Sequence, residues 1–383
     1  MHIGFLTPEY PHEDFTRSGG LGTSIKNLAA ALVQQGVTVT VFVTGQRQDK
    51  ALQDQGVRLV GITKKKNLAF NWYLERKRLQ RRIQKEIDLQ GIQLIEAPDW
   101  TGLSAFMTFT VPLVIRMHGS DGYFCHLEGR QQKWKHRFLE GKAMQNADAL
   151  LAASTFTGEE TKALFGLKQD ITTIYNGIDV ASFTPDHSQI QDCQILYFGT
   201  LVRKKGVLEL PFIFNRIVEQ LPAANLVLIG KDNIDVLTQQ STWSLFQNAL
   251  SPNAKAQVKH LVEVPYEIIK TYIAQAQVVV LPSFAEAFPM TWLETLAMEK
   301  PLVSSNIGWA KELMVDGETG FTVNPRDHEA YALTIVELLK DKNKGLELGK
   351  TGRKRIEDLF STHRTAQKSI AFYKKIIKDY DGI

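Results

Sequence analysis

Short apolar runs rich in β-branched residues alternate with longer helical stretches along the whole chain, and the alternation begins twice. In the first half, strands are expected at Ile3–Thr7, Thr38–Thr44, Leu94–Glu96, Leu113–Met117, Ala149–Ala153 and Ile171–Ile174. Helices are expected at Ser24–Gln35, near Asn71–Leu89 and at Lys133–Gln145. Ile195–Gly199 then reads as another first strand, followed by a helix and by strands at Leu226–Ile229 and Val278–Leu281. Strands that alternate with helices build parallel sheets from βαβ units. A length of 383 residues exceeds one ordinary domain and fits two. The polar, strand-free stretch Thr184–Cys193 is the expected linker. The expected architecture is α/β: two Rossmann-like domains, 1–185 and 191–364, with parallel sheets facing a central cleft.

Composition narrows the class. Hydrophobic residues make up 44%, enough for sizeable cores, and the net charge of +4 does not by itself call for nucleic acid. Two cysteines, Cys125 and Cys193, do not make a disulfide framework and read as core fillers in a reducing compartment. No apolar run approaches the ~20 residues of a transmembrane helix. The opening Met1-His2-Ile3-Gly4-Phe5 lacks a basic leader and reads as a first strand. The cytoplasm follows as the default expectation. No repeat at solenoid periods and no low-complexity segment is visible.

The run Glu286-Ala287-Phe288-Pro289-Met290-Thr291-Trp292-Leu293-Glu294 carries the most chemistry. Its first Glu lies in a loop just after the apolar run Val278–Pro282, and its second lies where a helix should be under way. In an open α/β sheet, ligands bind at the carboxyl ends of strands, and a helix start offers free N–H groups to an anion. Two carboxylates there suit sugar hydroxyls rather than phosphates. After the strand Ile195–Gly199 come Arg203, Lys204 and Lys205, which are either a solvated turn or phosphate contacts; lysine acts on phosphate as a point charge. Ser18-Gly19-Gly20-Leu21-Gly22 precedes the first helix and reads as a tight turn or an anion cradle. Its spacing is not that of a dinucleotide fingerprint. Arg116-Met117-His118-Gly119-Ser120-Asp121 ends a strand; a lone His is more often structural than catalytic, but a strand's carboxyl end shifts that balance.

The ordered set of these motifs resembles the retaining GT-B glycosyltransferases of family 4, the glycosyl transferases group 1. The Glu-x7-Glu pair with Phe-Pro inside carries the resemblance, and Lys205-Gly206, the Gly19-Gly20 loop and His118-Gly119 fall in family order. So do Pro98-Asp99-Trp100, Ser154–Thr157, Asn176-Gly177-Ile178-Asp179, Gly230-Lys231, Pro301-Leu302-Val303 and Asp316–Gly320, so that the likeness spans about residues 3 to 325. It implies that His118, Lys205 and Glu286 are catalytic. It also implies that Gly19, Gly20, Arg203, Lys204, Lys205, Gly230, Glu286, Phe288, Pro289, Met290, Thr291 and Glu294 bind the donor, with Glu286 facing the transferred sugar and Glu294 the ribose. The resemblance likewise implies that Asp99, Trp100 and Asp121 line the acceptor side. The first domain then faces the acceptor and the second holds the nucleotide sugar. A terminal helix from about Thr365, residues 365–383, crosses back onto the first domain. Thr200 stands where the family pattern has Arg, which removes one expected cation; Arg203 or Lys204 replaces it, or donor affinity is weaker.

The expected reaction is retaining, metal-independent transfer of a hexose-type sugar from a nucleotide diphosphate to a hydroxyl of a glycan, lipid-linked or small-molecule acceptor. A UDP-sugar is favoured over a GDP-sugar, and no cofactor is called for. A nucleotide-sugar epimerase on the same fold and a nucleotide-sugar-binding protein with weak or no transferase activity are the alternatives. Asp379-Tyr380-Asp381 is formally a metal-diphosphate signature but falls in the last few residues and reads as tail. No His/Cys cluster stands at metal-ligand spacing. Lys64–Lys85 holds nine Lys/Arg and one acid, with Trp72 and Tyr73. A solvated helix face is its leading reading, and peripheral contact with an anionic membrane, on the inner face, is the second. No nucleic-acid-binding motif accompanies that charge.

Overall fold

In the computed structural model the described residues are 1–16, 18–64 and 71–381, the side chains of 71 and 381 excepted. Residues 65–70 of the basic segment 64–85, and the side chain of Asp381 in the Asp-x-Asp tail, therefore lie outside the described residues. The chain divides into two compact units, Met1–Ile178 with Ser361–Ile383, and Asp179–Phe360.

The first unit is built on an eight-stranded sheet of order β3-β4-β2-β1-β5-β6-β7-β8. Its strands are β1 (His2–Thr7), β2 (Thr38–Gln46), β3 (Lys50–Asp54), β4 (Val57–Thr63), β5 (Leu94–Pro98), β6 (Leu113–Met117), β7 (Ala149–Ala152) and β8 (Ile171–Thr173). All neighbours are parallel except β3 and β4. Every residue of β5 and β6 is buried, as expected for strands covered on both faces. Helix Gly20–Gln34 packs on this sheet together with the terminal helix Thr362–Asp381.

A buried polar knot ties that terminal helix in. Arg116 on β6 forks onto Glu96 of β5 at 2.7 and 3.1 Å. Tyr373 donates to the same Glu96 at 2.6 Å, and the Arg116 Nη2 group also reaches Ser369 Oγ at 3.3 Å. The charges are paired and hydrogen-bonded, the condition under which buried ions are tolerated.

The second unit has a six-stranded sheet of order β11-β10-β9-β12-β13-β14, parallel throughout. Its strands are β9 (Gln194–Phe198), β10 (Asn225–Ile229), β11 (Val258–Leu261), β12 (Val278–Leu281), β13 (Leu302–Ser305) and β14 (Phe321–Val323). Counted from β9, this is the 3-2-1-4-5-6 order of a doubly wound Rossmann sheet. The architecture expected from the sequence, two Rossmann-like α/β halves with a helical tail returning to the first, is the one observed.

The chain passes from the first unit to the second at Ile178–Asp179, ahead of the polar stretch Thr184–Cys193. Phe183 explains why. It is buried, Lys270 Nζ stands 4.7 Å over its ring, and its carbonyl accepts from Arg353 at 2.6 Å, so this segment already belongs to the second core. Three further features escaped the reading. The edge strand β3, the outer strand β11 and the short β14 carry few apolar residues, and the apolar β4 was passed over with its hairpin partner.

Candidate active site

In the second sheet the strand order reverses between β9 and β12, and the loops leaving these two strands flank the crevice at the carboxyl edge. The loop after β9 is braced by backbone bonds. Gly199 N donates to Ile229 O and Leu201 N to Lys231 O, both at 2.8 Å. Gly230 permits this close approach: at φ +156° it faces the Gly199 carbonyl, where a Cβ would collide. The turn Arg203–Lys205 then docks on the loop after β12, because Lys204 O accepts from Phe284 N at 2.7 Å and from Ala285 N at 3.2 Å. Gly206 closes the turn at φ +69°, against the Pro282 carbonyl.

This docking brings Lys205 onto Glu286. Lys205 Nζ lies 3.0 Å from Glu286 Oε1, and Ser283 Oγ donates to the same oxygen at 3.0 Å. Both side chains are partly exposed, so an incoming anion and an incoming hydroxyl can reach them. Phe288 packs beside Phe360, with ring centroids 5.3 Å apart. Pro289 caps helix Met290–Ala297 without a side-chain hydrogen bond, and Met290 and Thr291 form its first turn. A helix start of this kind presents backbone donors and the positive end of the helix dipole.

Glu294 lies one turn further on and is buried. Burial pushes its carboxyl up to about 7, opposed by the Tyr266 hydroxyl and by the charges of Lys205 and Lys270. Arg203 does not join this group. Its guanidinium forks onto Asp235 at 2.8 and 2.9 Å and holds that carboxyl well below the usual range. Asp235 also accepts from Thr238 N and Oγ, both at 2.9 Å, so Arg203 braces the chain beyond β10. Thr200 is exposed at the mouth of the β9 loop.

In the first unit, Gly19 is the N-cap of helix Gly20–Gln34, and both Gly19 and Gly20 are exposed. Glu9 Oε1 accepts from Gly22 N at 2.9 Å, so a carboxylate sits at this helix start. His118 follows β6, and its backbone N–H donates to Asp99 Oδ1 at 3.0 Å. Burial, then the charge of Arg116, lowers the His118 imidazole to about 3, so it is neutral at physiological pH. Asp99 is 0% exposed and burial raises its carboxyl to about 8; among the described residues its Oδ2 has no partner. Asp99 thus supports the His118 loop from beneath. Trp100 is the exposed member of that turn, at 38%. Asp121 bonds His136 Nδ1 at 2.9 Å.

Sequence reasoning missed Glu140, which is fully buried and accepts from Thr101 N, Asp121 N and Gly122 N at 2.9, 2.9 and 3.0 Å. It also missed Glu9, Asp235, Ser283 and Tyr266. None of them lies in a recognisable motif. Among the described residues no group of three or more His, Cys, Asp or Glu is arranged to hold a metal ion.

Two family models match the chain. The family described as "Glycosyl transferases group 1" matches residues 186–355, and the one described as "Glycosyltransferase Family 4" matches residues 18–182. The chain belongs to the group 1 glycosyltransferases. A curated relative, the glycogen synthase of Mycobacterium tuberculosis, is 25% identical to this glycosyltransferase over 97% of the chain and 94% of its own length. The sucrose-phosphate synthase structure from Thermosynechococcus elongatus superposes with a TM-score of 0.83 at 21% identity, covering 99% of both chains. Anabaena HepE, solved in complex with UDP and glucose, superposes with a TM-score of 0.75 at 17% identity, over 98% of this chain and 100% of that one. Both likenesses are of fold. The epimerase and binding-protein alternatives are not favoured, and the glycosyltransferase uses nucleotide-sugar donors.

Proposed function

We propose that this glycosyltransferase moves a hexose from a nucleotide diphosphate, a UDP-sugar before a GDP-sugar, to an acceptor hydroxyl, with retention of configuration and without a metal ion. The observation that carries the reading is the Lys205–Glu286 contact of 3.0 Å at the switch point of the second sheet. In the transition state the bond from the anomeric carbon to the diphosphate breaks and negative charge grows on the leaving oxygens. Lys205 stabilises that charge more than it stabilises the ground state, which is what accelerates the step. Glu286 then releases the ammonium and accepts from the sugar hydroxyls. The amides from Phe288 to Thr291 orient the sugar, and Glu294 accepts from the ribose. Lys204 and Gly230 belong to the same donor set, and Gly19 and Gly20 are assigned to the diphosphate.

The acceptor oxygen attacks the face from which the diphosphate departs, and its proton passes to a leaving phosphate oxygen. Neutral His118 serves the donor sugar as a hydrogen-bonding group rather than as a base. Trp100 and Asp121 serve the acceptor, with Asp99 acting through the His118 loop.

We further assign peripheral contact with an anionic membrane surface to the helix Asn71–Gln90. Tyr73 and Leu74 are exposed there, with Arg81 and Lys85 exposed two turns on. Trp72 and Tyr73 pack with Phe106, which packs in turn with the exposed Phe138. Aromatic rings beside cations suit an anionic lipid surface. Among the described residues no helix is long and apolar enough to cross a membrane. Cys125 and Cys193 are both free thiols, in keeping with a reducing, cytoplasmic setting.

A panel of UDP-, GDP- and ADP-sugars incubated with hydroxyl acceptors tests the reaction. The product's anomeric configuration should match the donor's, and activity should survive chelation by EDTA. An inverted product, or activity abolished by EDTA and restored by a divalent cation, refutes the corresponding part. Flotation with phosphatidylglycerol vesicles tests the membrane role, which fails if the protein stays unbound at low salt.

A further inference from the structure

Glu294 has a partner that the proposed reaction does not use. Tyr266 opens the helix Tyr266–Gln275, and its hydroxyl donates to Glu294 Oε1 at 2.7 Å. The two residues differ sharply in burial: Glu294 is 4% exposed and Tyr266 is 46% exposed. Much of the residue is open to solvent while its hydroxyl turns inward, and the hydrogen bond links that hydroxyl to the buried carboxylate. Among the described residues no second group donates to Glu294, which leaves Oε2 for a ligand. The terminal torsion of a glutamate is broad, so an untethered carboxylate turns freely. A single short bond to one oxygen removes that freedom.

We propose that Tyr266 is a positioning residue for donor binding: by donating to Oε1 it fixes the plane of the Glu294 carboxylate and turns Oε2 toward the vicinal hydroxyls of the ribose. This rests on the ribose role given above to Glu294. A carboxylate offers about four lone-pair sites on two oxygens, so one can serve the phenol while the others serve a diol. Fixing the acceptor before the ligand arrives lowers the ordering cost of binding.

The ionised carboxylate is the form that accepts from both the phenol and the diol. The groups facing Glu294 are Tyr266 and Lys270 from the helix Tyr266–Gln275 and Lys205 from the turn after β9, while Glu267 faces Tyr266. Burial sets the carboxyl at about 7, and the Tyr266 bond, then the two lysines, favour ionisation. Donor affinity is therefore full above that pH and falls as pH drops through it. Removing the phenol hydroxyl moves the midpoint upward.

The experiment is isothermal titration of the full-length protein with UDP-glucose between about pH 5.5 and about pH 8, a span that brackets a carboxyl raised to about 7 and stays below the loss of the uracil N3 proton. GDP-mannose and ADP-glucose run in parallel, and the tightest donor is followed. Wild type should lose affinity below a midpoint near 7. Tyr266→Phe should bind about 10-fold more weakly at neutral pH, the scale of one hydrogen bond to a charged group. The loss should shrink but persist at the alkaline end, because an ionised carboxylate without its tether still turns freely, and KM should rise with kcat nearly unchanged. Glu294→Gln should bind weakly at every pH. A Tyr266→Phe affinity equal to wild type at the alkaline end, or a midpoint equal to wild type, overturns the positioning role. Wild-type affinity in Glu294→Gln overturns the ribose reading itself, whatever Tyr266 does. Weak binding by Glu294→Gln beside an unperturbed Tyr266→Phe overturns only the inference about Tyr266.

Discussion

Replacing Gly206 by Ala should both destabilise the second unit and loosen the donor site, and the structure supplies its own control. Gly206 lies at φ +69° with a Cβ directed into the Pro282 carbonyl, a backbone atom that cannot swing aside. Gly317 lies at nearly the same φ, +75°, with nothing within 4 Å of its Cβ position. Both alanines incur the left-handed penalty of roughly 1–2 kcal/mol. Only Gly206→Ala adds the overlap, worth about 1–3 kcal/mol in a packed site. The difference between the two variants is therefore that second quantity alone. For a unit of this size each kcal/mol shifts the melting temperature by roughly 2–4 °C. Gly206→Ala should melt several degrees below Gly317→Ala in differential scanning calorimetry. The overlap also pushes the Lys205 turn away from the loop that begins at Pro282 and carries Glu286. UDP-glucose binding should weaken about 10-fold or more in Gly206→Ala, the order of one lost charge-assisted contact, and stay unchanged in Gly317→Ala. Equal melting temperatures and equal affinities in the two alanines refute the claim that Gly206 is there to let the two loops touch.

Lys205→Ala should lower kcat by ~10²–10³, the usual cost of removing one group that stabilises a developing anion, and steady-state kinetics at saturating donor read it directly. A change confined to KM would assign Lys205 to ground-state binding alone. Thr200→Arg should tighten binding of the nucleoside diphosphate product, because Thr200 is exposed beside the β9 loop and Arg203 is committed to Asp235; calorimetry with UDP checks it, and an unchanged Kd would place the diphosphate elsewhere. Arg116→Ala leaves Glu96 buried with, among the described residues, Tyr373 as its remaining side-chain donor and should cost about 3–5 kcal/mol, seen as a lower denaturant midpoint. Tyr373→Phe, which keeps the ion pair, should cost less; the reverse order would mean that the phenol rather than the guanidinium holds the knot.

The interior strands were legible because burial on both faces writes them as unbroken apolar runs. Leu113–Met117 and Val278–Leu281 were read at the bounds the structure shows. The edge of the first sheet was not legible for the opposite reason. Strand β3, Lys-Ala-Leu-Gln-Asp, is half solvated, and its turn to β4 uses Gln55 and Gly56, both at positive φ, without the Asn-Gly signal that marks such hairpins. At the site, Lys205, Glu286 and Glu294 announce themselves by chemistry and spacing. Their supports do not. Asp235 lies 32 residues from the arginine it engages and Tyr266 28 from its glutamate, so only the folded chain pairs them. The change of unit falls at Ile178–Asp179, ahead of the polar stretch read as a linker, because Phe183 just before that stretch is a buried aromatic of the second unit that polar neighbours hide in the sequence.

The knot of Glu96, Arg116, Ser369 and Tyr373 has a consequence for synthesis. Its first two members leave the ribosome some 250 residues before the last two, as the separations of 253 between Arg116 and Ser369 and 257 between Arg116 and Tyr373 record. Nascent domains generally fold as they emerge, the leading one first. Here the leading one lacks its closing piece until the whole of the trailing one, Asp179–Phe360, has been made. During that interval Glu96 and Arg116 have each other but neither Tyr373 nor Ser369.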